Sequence, residues 1–322
     1  MNGGYGLVLL ESLLQATCAG LLIGGVYALM CLGLGMIFSV MRVVNFAQGE
    51  FLMLGMYGTF YICSSLALDR LLGPLVAPIV AAGIAGLLLF GVGMAVQAWL
   101  LSRVTGMKTV GVSGDGHFPQ LIVTLGLALV ISNGALMVFG SSPQGLRTPY
   151  SSRAWEIGPL VGQDVSVFVN KARAASLCVA LIVAGLLYCF VKRSSIGRTL
   201  RAAADNPVAA VYVGVDVQRS FRIAFGLGCA VTGIAGGLLA TYLPFQPYVG
   251  TDFVTVMYAG VVLGGLGSIA GSFFGGLIIG LVQQLSGLVL PAQLQNAAIF
   301  VIFLLVVLVR PQGLLGKSVE RT

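Results

Sequence analysis

From Ser12 to Val40 the chain passes without one Asp, Glu, Lys or Arg, and comparable apolar runs recur almost to its end. A helix needs about 20 apolar residues to cross the hydrocarbon of a bilayer, so runs of this length belong in lipid rather than in a soluble core. Composition agrees: 58% of the 322 residues are hydrophobic and 8% are charged, at a mean hydropathy of +1.01. A soluble domain carries roughly a quarter charged residues. The sequence therefore predicts one all-α domain over 1–322, a polytopic transmembrane helical bundle of about eight to ten spans with broken, glycine-rich helices.

The candidate spans are 12–40, 47–68, 75–100, 118–140, 174–191, 223–243, 254–266, 272–290 and 294–309. The first is either one tilted helix or a broken one. Glu11 precedes it and no basic segment or cleavage site does, so it reads as a retained helix rather than a signal peptide. Orientation follows from Lys and Arg near the span ends. Segment 192–222 holds Lys192, Arg193, Arg198, Arg201, Arg219 and Arg222, six of the 17 basic residues, and is expected to be a cytoplasmic loop. The tail 310–322, with Arg310, Lys317 and Arg321, falls on the same side after four crossings, and so does the loop at 101–117. Residues 141–173 are then an external loop, although Arg147, Arg153, Lys171 and Arg173 sit there against the rule. Nine crossings place the N-terminus outside, and splitting the first run would reverse that end.

Several chemistries are excluded by what the runs lack. The six cysteines lie singly in apolar stretches, and the lone histidine, His117, has only Asp115 near it, so no metal ligands and no catalytic residues are expected. An intramembrane serine protease needs a membrane histidine, and an aspartyl one needs two membrane aspartates; His117, Asp115 and Asp216 fall in loops. No GxxxxGK[ST] phosphate loop occurs, so any nucleotide acts on another subunit. Water channels of the paired Asn-Pro-Ala type are excluded because the nearest match, Asn206-Pro207-Val208, is single and in the basic loop. The net charge of +7 is spread over membrane-flanking loops, where it sets topology and does not mark a nucleic-acid surface.

Three segments concentrate polar or glycine residues. In RVVNFAQGEFLMLGMYG, residues 42–58, Asn45 and Gln48 have the spacing of a helix cap with a returning side chain, and Glu50 falls in the first turns, where a carboxylate favours the helix dipole. The same carboxylate in a membrane helix also points to a cavity or a partner, because lipid does not tolerate it. In KRSSIGRTLRAAADNPVAAVYVGVDVQRSFR, residues 192–222, Ser195 to Gly214 reads as a short helix of small and apolar positions. Pro207 breaks it, with Asp205 or Asn206 as the cap of a second helix. In VVLGGLGSIAGSFFGGLIIG, residues 261–280, the spacings Gly267/Gly271, Gly271/Gly275 and Gly276/Gly280 fit close helix packing. An alternative is a broken helix along a transport path through Gly264, Gly265, Gly267 and Gly271.

Together the segments 20–58, 196–216, 258–280 and the closing VRPQGLLG at 309–316 resemble the permease subunits of high-affinity branched-chain amino acid ABC importers, a family shared with urea, short-chain amide and ribose-type permeases. The resemblance spans most of the chain in the family's order. It implies that Arg198 to Gly214 forms a cytoplasmic coupling helix docking on an ATPase subunit, with Arg198, Arg201, Asp205, Asn206 and Gly214 at the contact. The importer pattern Glu-Ala-Ala before Gly is loose here, as Ala202-Ala203-Ala204-Asp205 before Gly214. The family usually has His where this chain has Gln48, which removes a titrating role at that position.

The resemblance further implies an inner-membrane complex in a bacterium: a second permease subunit, two ABC ATPase subunits carrying ATP and Mg, and a periplasmic substrate-binding protein, with membrane lipid around the bundle. No cofactor is expected on this chain. Asn45, Gln48 and Glu50 are expected on the translocation pathway. Urea, amides and aromatic acids stay open as substrates. Rival readings are a stand-alone channel, a gradient-driven transporter and a structural scaffold.

Overall fold

The structure is a computed structural model that describes residues 2–104, 118–146, 148–158, 166–291, 294–310 and 312–316. His117, Asp115, Arg147, Lys317 and Arg321 lie outside the described residues. Eleven helices occur in the described chain: α1 (Asn2–Met41), α2 (Gln48–Ser65), α3 (Leu68–Trp99), α4 (Phe118–Phe139), α5 (Lys171–Arg193), α6 (Ser195–Asp205), α7 (Pro207–Tyr212), α8 (Val217–Leu239), α9 (Val249–Gly264), α10 (Ile269–Ser286) and α11 (Gln295–Val309). Each of the nine apolar runs has its helix, and α6 and α7 fill the basic segment. Six helices are long and apolar enough to cross a membrane, while α9 and α11 are shorter apolar helices. The chain is an all-α, multi-pass membrane protein.

The run 12–40 is not split: α1 is continuous to Met41. Local chemistry sets the other boundaries. Gly73, at φ +79°, breaks α3 just ahead of Pro74, where a proline is tolerated because it opens the next helical segment. Asn170, Ser194, Asn206, Asp216 and Ser268 each accept a backbone N–H in the first turn of α5, α6, α7, α8 and α10. Lys192 and Arg193 close α5, where cations complement the dipole.

Small residues let the central helices approach closely. α1 packs along α10 and α8, with Gly24 against Gly280, Ala28 against Gly276 and Gly33 against Thr232; a Cβ on any of these glycines would meet the neighbouring chain. α2 lies on α8 through Gly55–Gly233 and Gly236–Leu52. In the absence of a hydrophobic force between helices in lipid, this close approach supplies the dispersion contacts that hold them together. α4 and α11 are peripheral.

The bundle has two distinct ends. At one, an antiparallel hairpin, β1 (Ala154–Ile157) with β2 (Val167–Asn170), leads into α5. Gln15 of α1 grips its free edge, donating from Nε2 to the Phe168 carbonyl and accepting from the Phe168 N–H, both at 2.9 Å. At the other, α6 and α7 project beyond the end of α5. α6 buries Gly197, Leu200 and Ala203 on one face, and the Arg201 guanidinium donates to the Val191 carbonyl, tying α6 to the last turns of α5.

Candidate functional site

The polar segment after α1 forms a turn inside the bundle, not a cap at its edge. The N-cap position of α2 is Ala47, without a side-chain cap, and the expected Asn45 cap is replaced by a different network. Asn45 Oδ1 accepts from the Ala47 N–H at 3.2 Å, and Asn45 Nδ2 donates to Gln48 Oε1 at 2.9 Å. Gln48 Nε2 in turn donates to Thr232 Oγ1 at 2.6 Å and to the Gly228 carbonyl at 3.2 Å. Both amides are fully buried, so each bond offsets a desolvation cost of about 1–3 kcal/mol. Gly228 and Thr232 lie half-way along α8. α2 therefore begins deep within the bundle, not at the boundary that its cap-like sequence suggested.

α9 starts at a matching depth. Gly250, in its first turn, packs on the backbone of Gly49 and against the Glu50 carboxylate; a side chain on either glycine would strike the other helix. Phe253 meets the Tyr27 ring edge-on with centroids 6.0 Å apart, and Cys31 Sγ donates to the Met257 carbonyl at 3.7 Å. Tyr27 sits near the middle of the Val8–Met41 span. Two helix N-termini thus meet in the interior, each directing the positive end of its dipole there, while turn bonds from Gln48 and Glu50 and from Val249 and Thr251 satisfy most of their first N–H groups. Glu50 lies at this junction, only 4% exposed, and its Oε2 has no hydrogen-bond partner.

The stripe of α9 turned away from the bundle carries Tyr248, Thr251, Asp252 and Thr255, all exposed in the single chain, with Tyr258 half-buried below them, its ring tilted against Phe46 at 5.4 Å between centroids. The opposite face buries Val256, Met257, Gly260 and Val261. The candidate span 254–266 begins two residues after Asp252 and leaves it out, whereas α9 starts at Val249. The signal available was the shortness of 254–266, too short for a full crossing.

The remaining expected site residues separate into two other places. Gly265, at φ +110°, and Gly267, at φ +90°, lie in the turn between antiparallel α9 and α10, and Gly264 and Gly271 are the helical glycines on either side of it. Gly264 packs on Gly271 and Gly260 on Gly275, and Leu314 and Leu315 donate to the Leu263 and Gly264 carbonyls, capping α9. This glycine break lies at the end of α9 opposite to Glu50, some fourteen residues or about 20 Å away along the helix. The structure does not bring it together with Asn45, Gln48 and Glu50.

Arg198, Arg201, Asp205, Asn206 and Gly214 share the exposed surface of α6 and α7. Asn206 caps α7 through the Ala209 N–H at 3.0 Å with Pro207 at the first helical position, and Gly214 takes the φ of +81° that ends it. The small and apolar positions expected in this segment include an exposed tip beside them: Val208, Val211, Tyr212 and Val213 are exposed, Tyr212 by 85%. Among the described residues no group of three His, Cys, Asp or Glu could hold a metal ion.

Residues 16–309 match the family described as branched-chain amino acid transport system / permease component. The chain is 29% identical over 306 residues to the high-affinity branched-chain amino acid transport system permease protein LivH of Escherichia coli K12, covering 94% of this chain and 96% of that one. It is 27% identical over 310 residues to the corresponding BraD protein of Pseudomonas aeruginosa, at the same coverage. A fructose import permease protein, FrcC of Rhizobium meliloti, is 31% identical over 172 residues, 50% of this chain and 46% of that one. No solved structure matches the chain. With a match from the first membrane span to the last, this chain belongs to the family of branched-chain amino acid transport system permease components.

Proposed function

We propose that the chain is one permease subunit of an ATP-driven importer of branched-chain amino acids in a bacterial inner membrane. A second permease subunit completes the bundle, two ATPase subunits bind ATP and Mg, and a periplasmic binding protein delivers the solute. This chain carries no nucleotide site and contributes half of the path. In this reading the α6–α7 end is cytoplasmic and the hairpin end external.

The observation that carries the reading is the exposed tip of α6 and α7. Val208, Val211, Tyr212 and Val213 expose apolar surface in a basic segment that also exposes Arg198, Asp205 and Asn206. Such a patch amid polar residues fits a protein groove. Because α6 is tied to α5 through Arg201 and packs on α8, a push on the tip is passed to two membrane helices. ATP-driven closure of the ATPase pair would then move the bundle between two states of differing solute affinity.

Co-purification tests this. Tyr212→Asp, on an exposed side chain, should leave the permease in the membrane while reducing recovery of the ATPases at least tenfold, as expected for a central aromatic anchor. Normal ATPase recovery, or solute flux through the lone chain in liposomes that ignores ATP and vanadate, would favour a stand-alone channel or gradient-driven transporter.

A further inference from the structure

An exposed carboxylate at the middle of a membrane bundle needs an explanation. Asp252 is exposed and has no hydrogen bond or ion pair among the described residues. It stands one residue from Phe253, which packs on Tyr27 at the centre of the α1 span. Facing lipid there, a carboxylate costs about 3 kcal/mol on insertion scales and more in other estimates. Its neighbours on the stripe are Thr251 and Thr255, whose hydroxyl is held by the Thr251 carbonyl at 3.3 Å, and Tyr248. A stripe of two threonines, a tyrosine and an aspartate faces water or a polar partner, not acyl chains.

A second observation marks the same turn. Directly behind it, Gly250 rests on Glu50, a carboxylate 4% exposed with Oε2 unpaired. Two acidic groups thus flank one helix start in a bundle otherwise almost free of charge. We infer that the exposed stripe of α9 is the wall that this subunit contributes to the solute path, and that the Asp252 carboxylate is the counter-charge for the ammonium group of a zwitterionic amino acid. Phe46, 38% exposed and in tilted ring contact with Tyr258, offers an apolar surface to an aliphatic side chain at the lower end of the stripe. Glu50 acts from behind as a positioning residue, adding negative potential without reaching the solute.

This inference rests on the importer reading. Its test uses the assembled permease–ATPase complex in nanodiscs and measures binding of radiolabelled L-leucine in competition with 4-methylpentanoate, which has the same side chain and carboxylate but no ammonium group. The wild type should prefer leucine at least tenfold, the scale of one charge-assisted hydrogen bond. Asp252→Asn should abolish that preference by weakening leucine alone, and Asp252→Glu should restore part of it. Equal binding of the two probes by the wild type, no saturable leucine binding, or an undiminished preference in Asp252→Asn would overturn the inference. The last result is also the one expected if a second permease subunit covers the stripe. ATP-driven leucine uptake by the wild-type complex with its binding protein separates the two failures: uptake that is normal in both wild type and Asp252→Asn removes the ammonium site and leaves the importer reading standing.

Discussion

The exposed stripes of α4 and α9 differ in the one property that decides what can lie against them. α4 exposes Ile122, Leu125, Leu129, Val130, Met137 and Val138, and its single exposed amide, Asn133, is satisfied by the Leu129 carbonyl at 2.8 Å. α11 is alike, with Val301, Leu304, Leu305 and Leu308. These faces are almost wholly apolar and uncharged, and fit acyl chains. α9 exposes Thr251, Asp252 and Thr255 at a depth where lipid would make the carboxylate costly. Exposure in an isolated chain therefore has two meanings here, and polarity at a given depth tells them apart.

Exchanging the chemistry of the two stripes should produce the largest effects. Leu129→Asp puts a carboxylate on the lipid-facing stripe and should cut the amount of inserted protein severalfold or more, from a penalty of about 3 kcal/mol, as read by membrane-fraction blotting. Asp252→Leu should leave insertion at or above the wild-type level and reduce ATP-driven uptake by about tenfold or more, through loss of a charged contact. Equal falls in insertion for both variants would erase the distinction between the stripes.

Effects one layer deeper should be smaller. Gly250→Ala puts a Cβ into the Gly49 backbone and the Glu50 carboxylate; in a close-packed glycine contact this should cost about 1–3 kcal/mol, seen as a lowered melting temperature of the purified complex. Glu50→Ala should lower transport more than expression; an equal fall in both would reduce Glu50 to a helix-start residue favoured by the dipole. The smallest effect belongs to Leu129→Ala, which trims a lipid contact and should leave expression and uptake within twofold of wild type, since substitutions away from packed or polar features shift stability by about 0.5 kcal/mol or less.

Much of this architecture is legible in the sequence because lipid enforces it. The apolar runs fix the helices, and Pro207 behind Asn206 fixes the α6–α7 break. Depth is what local patterns do not encode. Asn45 and Gln48 carry the spacing of a cap at any depth, and only their contacts with Gly228 and Thr232 of α8 show that α2 starts inside the bundle. Asp252 falls outside the apolar run 254–266 for the same reason, and only the start of α9 at Val249 brings it into the bundle. The glycines of 261–280 serve the close packing that their spacing suggests, Gly264 on Gly271 and Gly260 on Gly275, with Gly265 and Gly267 in the α9–α10 turn, whereas the helix starts that interrupt the bundle lie at Gln48 and Val249, next to the less conspicuous Gly49 and Gly250.

The central claim, that α9 faces a solute path while α4 faces lipid, is tested most directly by reaction with water-borne thiol reagents. Cysteine would replace Thr251, Asp252, Thr255, Leu125 or Leu129 singly, in a chain whose native cysteines are changed to alanine. Each variant would be assembled with its partners in membranes and exposed to a small, membrane-impermeant methanethiosulfonate. The account predicts rapid modification at 251, 252 and 255, slowed by leucine at 251 and 255, where Asp252 is retained, and none at 125 and 129. Unreactive positions on α9 alongside equally unreactive ones on α4 would contradict it.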